Sequence, residues 1–143
     1  MANVLDVAQY ILQRRGTMSG KKLQKLVYYA QAWSLAWTGA ALFDDRIEAW
    51  RDGPVAPTLF ASHRYVADVE AIANANPRAI PHGGMDTIDS VLGFYGGRTA
   101  DELIELTHSE EPWIAARRGL MPWQSGRNLI SHESMRKYYS VRA

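Results

Sequence analysis

Residues 20–38 carry a wide apolar stripe between two helix-ending signals. Ser19 is of a type that caps helix N-termini, and Gly39 is of a type that ends helices. Between them apolar side chains recur three and four residues apart and extend around the cylinder, at Leu23, Leu26, Val27, Tyr28, Tyr29, Ala30, Trp33, Leu35, Ala36 and Trp37. A stripe this wide predicts a helix at the centre of the fold, contacted on more than one side.

Shorter elements are predicted around this helix. Residues 3–15 have helical spacing and end at Gly16. The pattern of 42–52 suits a short hairpin, followed by a turn at Asp52-Gly53-Pro54, and Pro57 can open the next helix. A loop is expected over 74–86, and helical spacing returns at 86–95, 99–106, 112–118 and 129–139.

These elements predict a mainly α fold. Residues 1–143 are expected to form a single compact helical domain around the central helix, with a minor two-stranded β-hairpin near 43–51.

Composition excludes several kinds of site. The 143 residues include no cysteine, which rules out disulfides, thiolate metal sites and cysteine nucleophiles. The four histidines are scattered along the chain, so no metal and no cofactor is expected. The net charge of 16 − 15 = +1 gives no sequence-wide reason to expect nucleic acid as a partner. No apolar run approaches the roughly 18 residues that span a bilayer, so no membrane is expected either.

An enzymatic alternative rests on His108. Paired with Glu48, or with Asp44 and Asp45, it would offer an imidazole and a carboxylate for hydrolase-like acid–base chemistry if the fold brought them together. No spacing rule requires that they meet. The favoured interpretation places the two aspartates in a solvated turn and makes His108 a structural histidine.

A nucleic-acid alternative, a phage regulator, rests on the basic residues near the start of the central helix. These residues lie close in sequence to two tyrosines, a mixture that can contact phosphates and stack on bases, in the set Arg14, Arg15, Lys21, Lys22, Lys25, Tyr28 and Tyr29. The same patch is also consistent with a protein-binding face or with a merely solvated helix end.

Four blocks follow one another over residues 18–113. They are Met18-Ser19 with the run KLQKLVYYAQA from Lys22, then LFDD from Leu42 with IEAW from Ile47, then DGPV from Asp52, and finally LTH from Leu106 with Pro112-Trp113. In order and spacing the blocks resemble the SocA-like Panacea antitoxin domain.

The resemblance implies a small cytoplasmic antitoxin, often carried by prophages, that neutralises its cognate toxin by direct binding and without catalysis. Some members of the family act as adaptors that deliver the bound toxin to a Clp-type protease. The expected partners are therefore a toxin and, for an adaptor, such a protease. Whether the chain forms a homo-oligomer is left open.

The blocks are interpreted as a folding signature, made of Leu23, Tyr28, Trp50, Gly53, Pro54, Thr107, His108, Pro112 and Trp113. Gly53 would let the chain turn out of the hairpin. Thr107 would end one helix and form a capping box with Glu110 before Pro112 opens the next. His108 would then lie in a corner, where it can bridge the two helices.

The toxin-binding surface is expected to use aromatic and basic anchors. Trp33, Trp37, Trp50 and Trp113 are assigned to the core. Trp123 follows Pro122 in the connection 119–127 and is assigned to the surface. The nominated toxin-binding residues are Trp123, Tyr138 and the basic group Arg14, Lys21 and Lys25.

Overall fold

The computed structural model describes residues 2–143, and within them the chain is mainly helical, as predicted. The elements in chain order are α1 (Val4–Arg15), β1 (Met18–Ser19), α2 (Gly20–Thr38), β2 (Glu48–Trp50), β3 (Gly53–Val55), α3 (Pro57–His63), β4 (Asp68–Val69), a 3-10 helix (Pro77–Ala79), α4 (His82–Tyr95), α5 (Ala100–His108), α6 (Glu111–Ala116) and α7 (His132–Ser140). None of these helices has the length and hydropathy needed to cross a bilayer.

Helix α2 is the centre of the fold, which confirms the prediction from its apolar stripe. Every residue from Leu23 to Ala32 is buried, and α1, α3, α4, α5 and α7 all pack against the helix. The Ser19 hydroxyl accepts a hydrogen bond from the Lys22 N–H at 3.2 Å. At the other end Gly39 adopts a left-handed conformation (φ 76°) and its N–H bonds the Leu35 carbonyl at 3.0 Å. Both predicted ends are therefore confirmed.

Two buried glutamines on α2 hold chain segments that have no regular structure of their own. The Gln31 Nε2 donates to the Phe43 carbonyl and its Oε1 accepts from the Leu42 N–H, both at 2.8 Å. The Gln24 Oε1 accepts from the Ala56 N–H at 2.9 Å, and its Nε2 donates to the Ala56 carbonyl at 3.3 Å. The two side chains thereby satisfy backbone groups that are shielded from water.

The β-hairpin exists but is displaced from its predicted position. β2 and β3 pair antiparallel, with Trp50 opposite Gly53, so that residues 51–52 make the turn. The predicted turn at Asp52-Gly53-Pro54 is therefore confirmed for Asp52 and wrong for Gly53 and Pro54, which belong to the second strand. The hairpin does not begin near residue 43, because Gln31 already occupies the backbone groups of Phe43.

Other differences from the predicted elements are small. α4 begins at His82, inside the predicted loop, and α7 begins at His132 because the Ile130 N–H bonds the Ile47 carbonyl at 2.9 Å and keeps that segment extended. β1 and β4 form a second antiparallel pair, with Met18 opposite Val69, that was not predicted. Strands of two residues leave no periodic pattern to detect.

A polar cluster of tyrosines lies between α2, α4 and α7. Tyr29 and Tyr139 both donate to the Glu110 Oε1 at 2.7 Å, and the Tyr28 hydroxyl lies 3.1 Å from that of Tyr139. Tyr95 stacks on Tyr29 with ring centroids 4.0 Å apart. Burial raises the pKa of Glu110, while the two tyrosine hydrogen bonds lower it. The cluster ties the last helix of the chain to its centre.

The tryptophans assigned to the core differ in burial. Trp113 is buried, whereas Trp33 and Trp50 are half-buried. Trp37 is 46% exposed, so its assignment to the core is wrong. It occupies the last turn of α2, beyond the part of the helix that neighbours enclose.

The Gln31 bonds can be tested by removing the amide while keeping the length of the side chain. Gln31→Met should lower the free energy of unfolding by about 2–5 kcal/mol, because two buried backbone groups lose their partner. Chemical denaturation measures this change. Gln13→Met, at an exposed position of α1, is the control. Equal stability of the two variants would contradict the role given to Gln31.

Candidate functional site

A cavity of about 360 Å³ opens beside the first turn of α2. The hairpin turn, α3 and residues 125–127 form its other walls. Trp50 and Phe60 line it and meet edge to face, with ring centroids 5.0 Å apart. The cavity thus brings together segments that are far apart in sequence.

Lys25 lies at this cavity and is the least expected of its residues. Its side chain is 1% exposed, and its ammonium makes no hydrogen bond or ion pair within residues 2–143. The pKa of Lys25 is lowered to about 7, chiefly by desolvation, with Asp52 raising it and Lys21 lowering it by smaller amounts. A substantial fraction of the amine is therefore uncharged at neutral pH.

The polar residues around Lys25 have partners of their own. The Gln24 Nε2 lies 3.0 Å from the His63 Nε2, which accepts this bond, so the proton of the neutral ring is on Nδ1. Burial lowers the pKa of His63, a backbone hydrogen bond raises it, and nearby Lys25 lowers it. Lys21 forms an ion pair with Asp52 at 3.3 Å.

Gly53 makes room for Lys25. A Cβ at this position would lie 2.5 Å from the Lys25 Cε and 2.9 Å from the Thr107 Oγ1. Its φ of +109° is also one that side chains rarely adopt. The expected need for backbone freedom at Gly53 is confirmed, but a close approach of side chains adds to it.

The predicted capping box at Thr107 is wrong. α5 continues to His108, and the Thr107 hydroxyl donates to the Ile104 carbonyl at 2.8 Å. Glu110 occupies the N-cap position of α6 without a side-chain cap bond, because its carboxylate binds the tyrosines. Pro112 does lie in the first turn of α6, as predicted.

His108 occupies the predicted corner between α5 and α6. Its ring stacks on Trp113 with centroids 4.0 Å apart, and the Trp113 Nε1 donates to the Trp50 carbonyl at 2.7 Å. The buried His108 Nε2 has no partner in the described chain. Desolvation lowers the pKa of His108. The histidine therefore connects the two helices by packing.

The acid–base pair of the enzymatic alternative is not assembled. Glu48 accepts from the Trp50 Nε1 at 2.9 Å and pairs with Arg46 at 2.8 Å. Although both residues lie in the described chain, no hydrogen bond or ion pair joins Glu48 to His108. Asp45 accepts from the Val4 N–H at 2.9 Å and so helps to cap α1. Within residues 2–143, no three His, Asp or Glu side chains cluster as metal ligands would.

The patch of the nucleic-acid alternative is not a surface. Tyr28, Tyr29 and Lys25 are all buried, so neither ring is free to stack on a base and the ammonium is not at the surface. The expected mixture of exposed aromatic and basic groups is therefore absent at this place.

The nominated toxin-binding residues lie in different places. Trp123 is 67% exposed, as expected. Lys21 lines the cavity, whereas Arg14 pairs with Asp89 of α4 at 3.4 Å. Tyr138 is half-buried on α7, beneath the guanidinium of Arg142. The structure does not gather them into one surface, and the inclusion of Lys25 in an exposed basic group is wrong.

The sequence held a signal for the position of Lys25. Tyr28, Tyr29 and Ala32 lie three, four and seven residues after it, so all four share one face of α2. This face is part of the apolar stripe, which places the lysine inside the fold. The sequence pattern does not predict that Lys25 lines a cavity, because other lining residues, such as His63 and Ser125, lie far from it in the chain.

The family comparison covers this region. The model described as "Antitoxin SocA-like, Panacea domain" matches residues 23–114. The chain belongs to this family. Membership indicates an antitoxin-type role for this Panacea domain. The matched region includes both buried glutamines, Lys25 and the hairpin. No curated protein and no solved structure matches the chain.

Substitution of Gly53 tests the close approach in this Panacea domain. Gly53→Ala should destabilise the fold by about 1–3 kcal/mol more than Gly39→Ala, because the new methyl group meets the side chains of Lys25 and Thr107. Gly39 is a matched control, since its φ is also positive (+76°) and no atom lies within 4 Å of its added Cβ. Thermal or chemical unfolding measures both. Equal losses would show that backbone strain alone accounts for the effect.

Substitution of Lys25 tests its burial through the pH dependence of stability. The pKa of Lys25 is about 7 when folded and 10.5 ordinarily, so between these values the unfolded chain binds more protons and rising pH favours folding. Relative to Lys25→Met, the wild type should gain up to about 1.4 kcal/mol of unfolding free energy per pH unit between pH 7 and 9.

Denaturation at several pH values measures this gain. The charged and titratable groups that surround Lys25 stay the same in both proteins and are Lys21, Arg51, Asp52, His63, His108 and Arg127. Lys22 lies on the same helix but outside the cavity, so the wild type should show no such pH-dependent gain relative to Lys22→Met. Stability curves for the wild type and Lys25→Met that stay parallel would contradict the low pKa.

Proposed function

We propose that this Panacea domain is a cytoplasmic antitoxin that neutralises a cognate toxin by direct protein–protein binding, with residues 1–143 acting as one unit. The family match over residues 23–114 carries the proposal. The proposed role needs no catalytic group. The proposed mechanism is steric, in that the bound antitoxin covers a surface that the toxin needs.

The segment 117–130 is the proposed centre of the toxin-binding surface. Three apolar side chains project from it, with Trp123 67% exposed and Met121 and Leu129 each 50% exposed. Tryptophan is enriched among residues that dominate binding energy. Large apolar side chains that are exposed on one segment are suited to hold a partner.

Arg117 fixes the shape of this segment from inside. It is buried and donates to the carbonyls of Ala49 at 3.0 Å, Met121 at 3.3 Å and Gln124 at 2.5 Å. Its guanidinium also lies over the Trp113 ring, 5.0 Å from the centroid. A segment that is already ordered loses less entropy on binding, which favours affinity.

Lys21 lies near this surface, whereas two other nominated residues do not. The cavity that Lys21 lines is also lined by residues 125–127 of the same segment. Arg14 faces α4 and Tyr138 packs on Tyr139, away from these neighbours. The proposed interface is therefore centred on Trp123 with Lys21 at its edge.

Growth of cells in which the gene adjacent to this one is induced tests the function. Co-expression of the antitoxin should relieve the arrest. Trp123→Ala should weaken toxin binding by about 30-fold or more if it is a hot spot, and relief should fall while the melting temperature stays nearly unchanged. Phe94→Ala, which truncates a similarly exposed ring (66%) on α4, should retain full relief.

Three outcomes would contradict the proposal at different levels. Arrest that the wild-type chain does not relieve would contradict antitoxin action on that toxin. Full relief by Trp123→Ala, or its unfolding, would show that the interface lies elsewhere. Relief that disappears in cells lacking Clp-type proteases would identify adaptor-mediated proteolysis instead of steric neutralisation.

A further inference from the structure

The charged side chains around the Lys25 cavity contact another charge or a ring, except for Lys25 itself. Lys21 pairs with Asp52 at 3.3 Å, and Arg51 lies 3.9 Å from the same carboxylate. The Arg127 guanidinium lies over the Trp50 ring, 5.1 Å from its centroid. Lys25, which is 1% exposed, has no such partner although it lines the cavity. Carrying a charge on a side chain this buried is costly without an ion-pair partner, so an anion that entered the cavity would stabilise the charged form of Lys25.

The field in the cavity favours an anion. Gly20 and Lys21 belong to the first turn of the 19-residue helix α2 and line the cavity, where the helix dipole is positive. Four cationic side chains line it against one carboxylate, that of Asp52. This acid is already bound by its neighbours, so it opposes an incoming anion less than a free carboxylate would.

We propose that this cavity binds a monocarboxylate with an apolar stem, and that the Lys25 ammonium is its ion-pair partner. The rings of Trp50 and Phe60 provide apolar walls for the stem. Among the four cations that line the cavity, Lys25 alone has neither an ion pair nor a ring contact, which suits a ligand with one negative charge and an apolar stem. The proposal does not rest on antitoxin activity, because it concerns only the walls of this cavity.

Two sources could supply such a group. One is a free carboxylic acid of low molecular weight, and the other is the carboxyl terminus of a protein whose last residue is apolar. Both present the same chemistry to Lys25. The volume of about 360 Å³ leaves room for a ring or a branched side chain behind the carboxylate.

Titration calorimetry and NMR on the full chain test the site with defined probes. The wild type should bind 3-phenylpropionate at least tenfold more tightly than its neutral isostere, 3-phenylpropionamide, and than inorganic phosphate. Binding should move the resonances of the Trp50 indole. An acetylated tripeptide that ends in phenylalanine, with a free or an amidated terminus, distinguishes the two sources. Tighter binding of the free-terminus peptide than of the small acid would assign the cavity to a protein terminus, and the reverse order would assign it to a small acid.

Lys25→Met should weaken binding of 3-phenylpropionate at least tenfold, while Lys22→Met should leave it unchanged. A second measurement needs no variant, because the carboxylate should raise the pKa of the Lys25 ammonium, followed by NMR. The proposal is overturned if the wild type binds neither probe, if the amide or phosphate binds as well as the acid, or if Lys25→Met binds as the wild type does.

Discussion

The amide groups of Gln24 and Gln31 anchor the hairpin region to the central helix and so determine how the cavity is built. They lie two helical turns apart on α2, and each amide both donates to a backbone carbonyl and accepts from a backbone N–H. Gln24 binds Ala56, and Gln31 binds residues 42–43. Because both ends of the segment between these points are held on α2, the segment folds back as a short hairpin across this helix. The hairpin in turn places Gly53 over Lys25 and Trp50 beside the cavity.

Much of the fold could be predicted because α2 has a strong local pattern. Its apolar stripe, the Ser19 cap and Gly39 determine a helix whatever surrounds it. The hairpin was harder to place, since its position depends on hydrogen bonds from a distant glutamine and not on alternation along the strands. The pairing of β1 with β4 joins two residues to two others fifty positions away, and no local signal records it.

The candidate site was less predictable for a related reason. The exposure of Trp123 follows from its short polar connection, and the sequence located it correctly. Lysines near the start of a helix, by contrast, are usually solvated. The burial of Lys25 becomes evident only from the hairpin that covers it. Likewise, Arg14 and Lys21 are close in sequence, but α1 and α2 direct them to different neighbours. Which side chains share a surface therefore depends on how the helices pack, and not on distance along the sequence.

The contact between Gly53 and Lys25 links the two positions in the evolution of this chain. A side chain at position 53 would meet the Lys25 stem and the Thr107 hydroxyl, so a shorter residue at position 25 removes the closer of the two steric clashes. The order of substitution therefore matters, and the effect of each change depends on the other. Such epistasis restricts the order in which substitutions can remodel the cavity. A substitution of Gly53 that comes first produces a destabilised protein, because Lys25 is still in place.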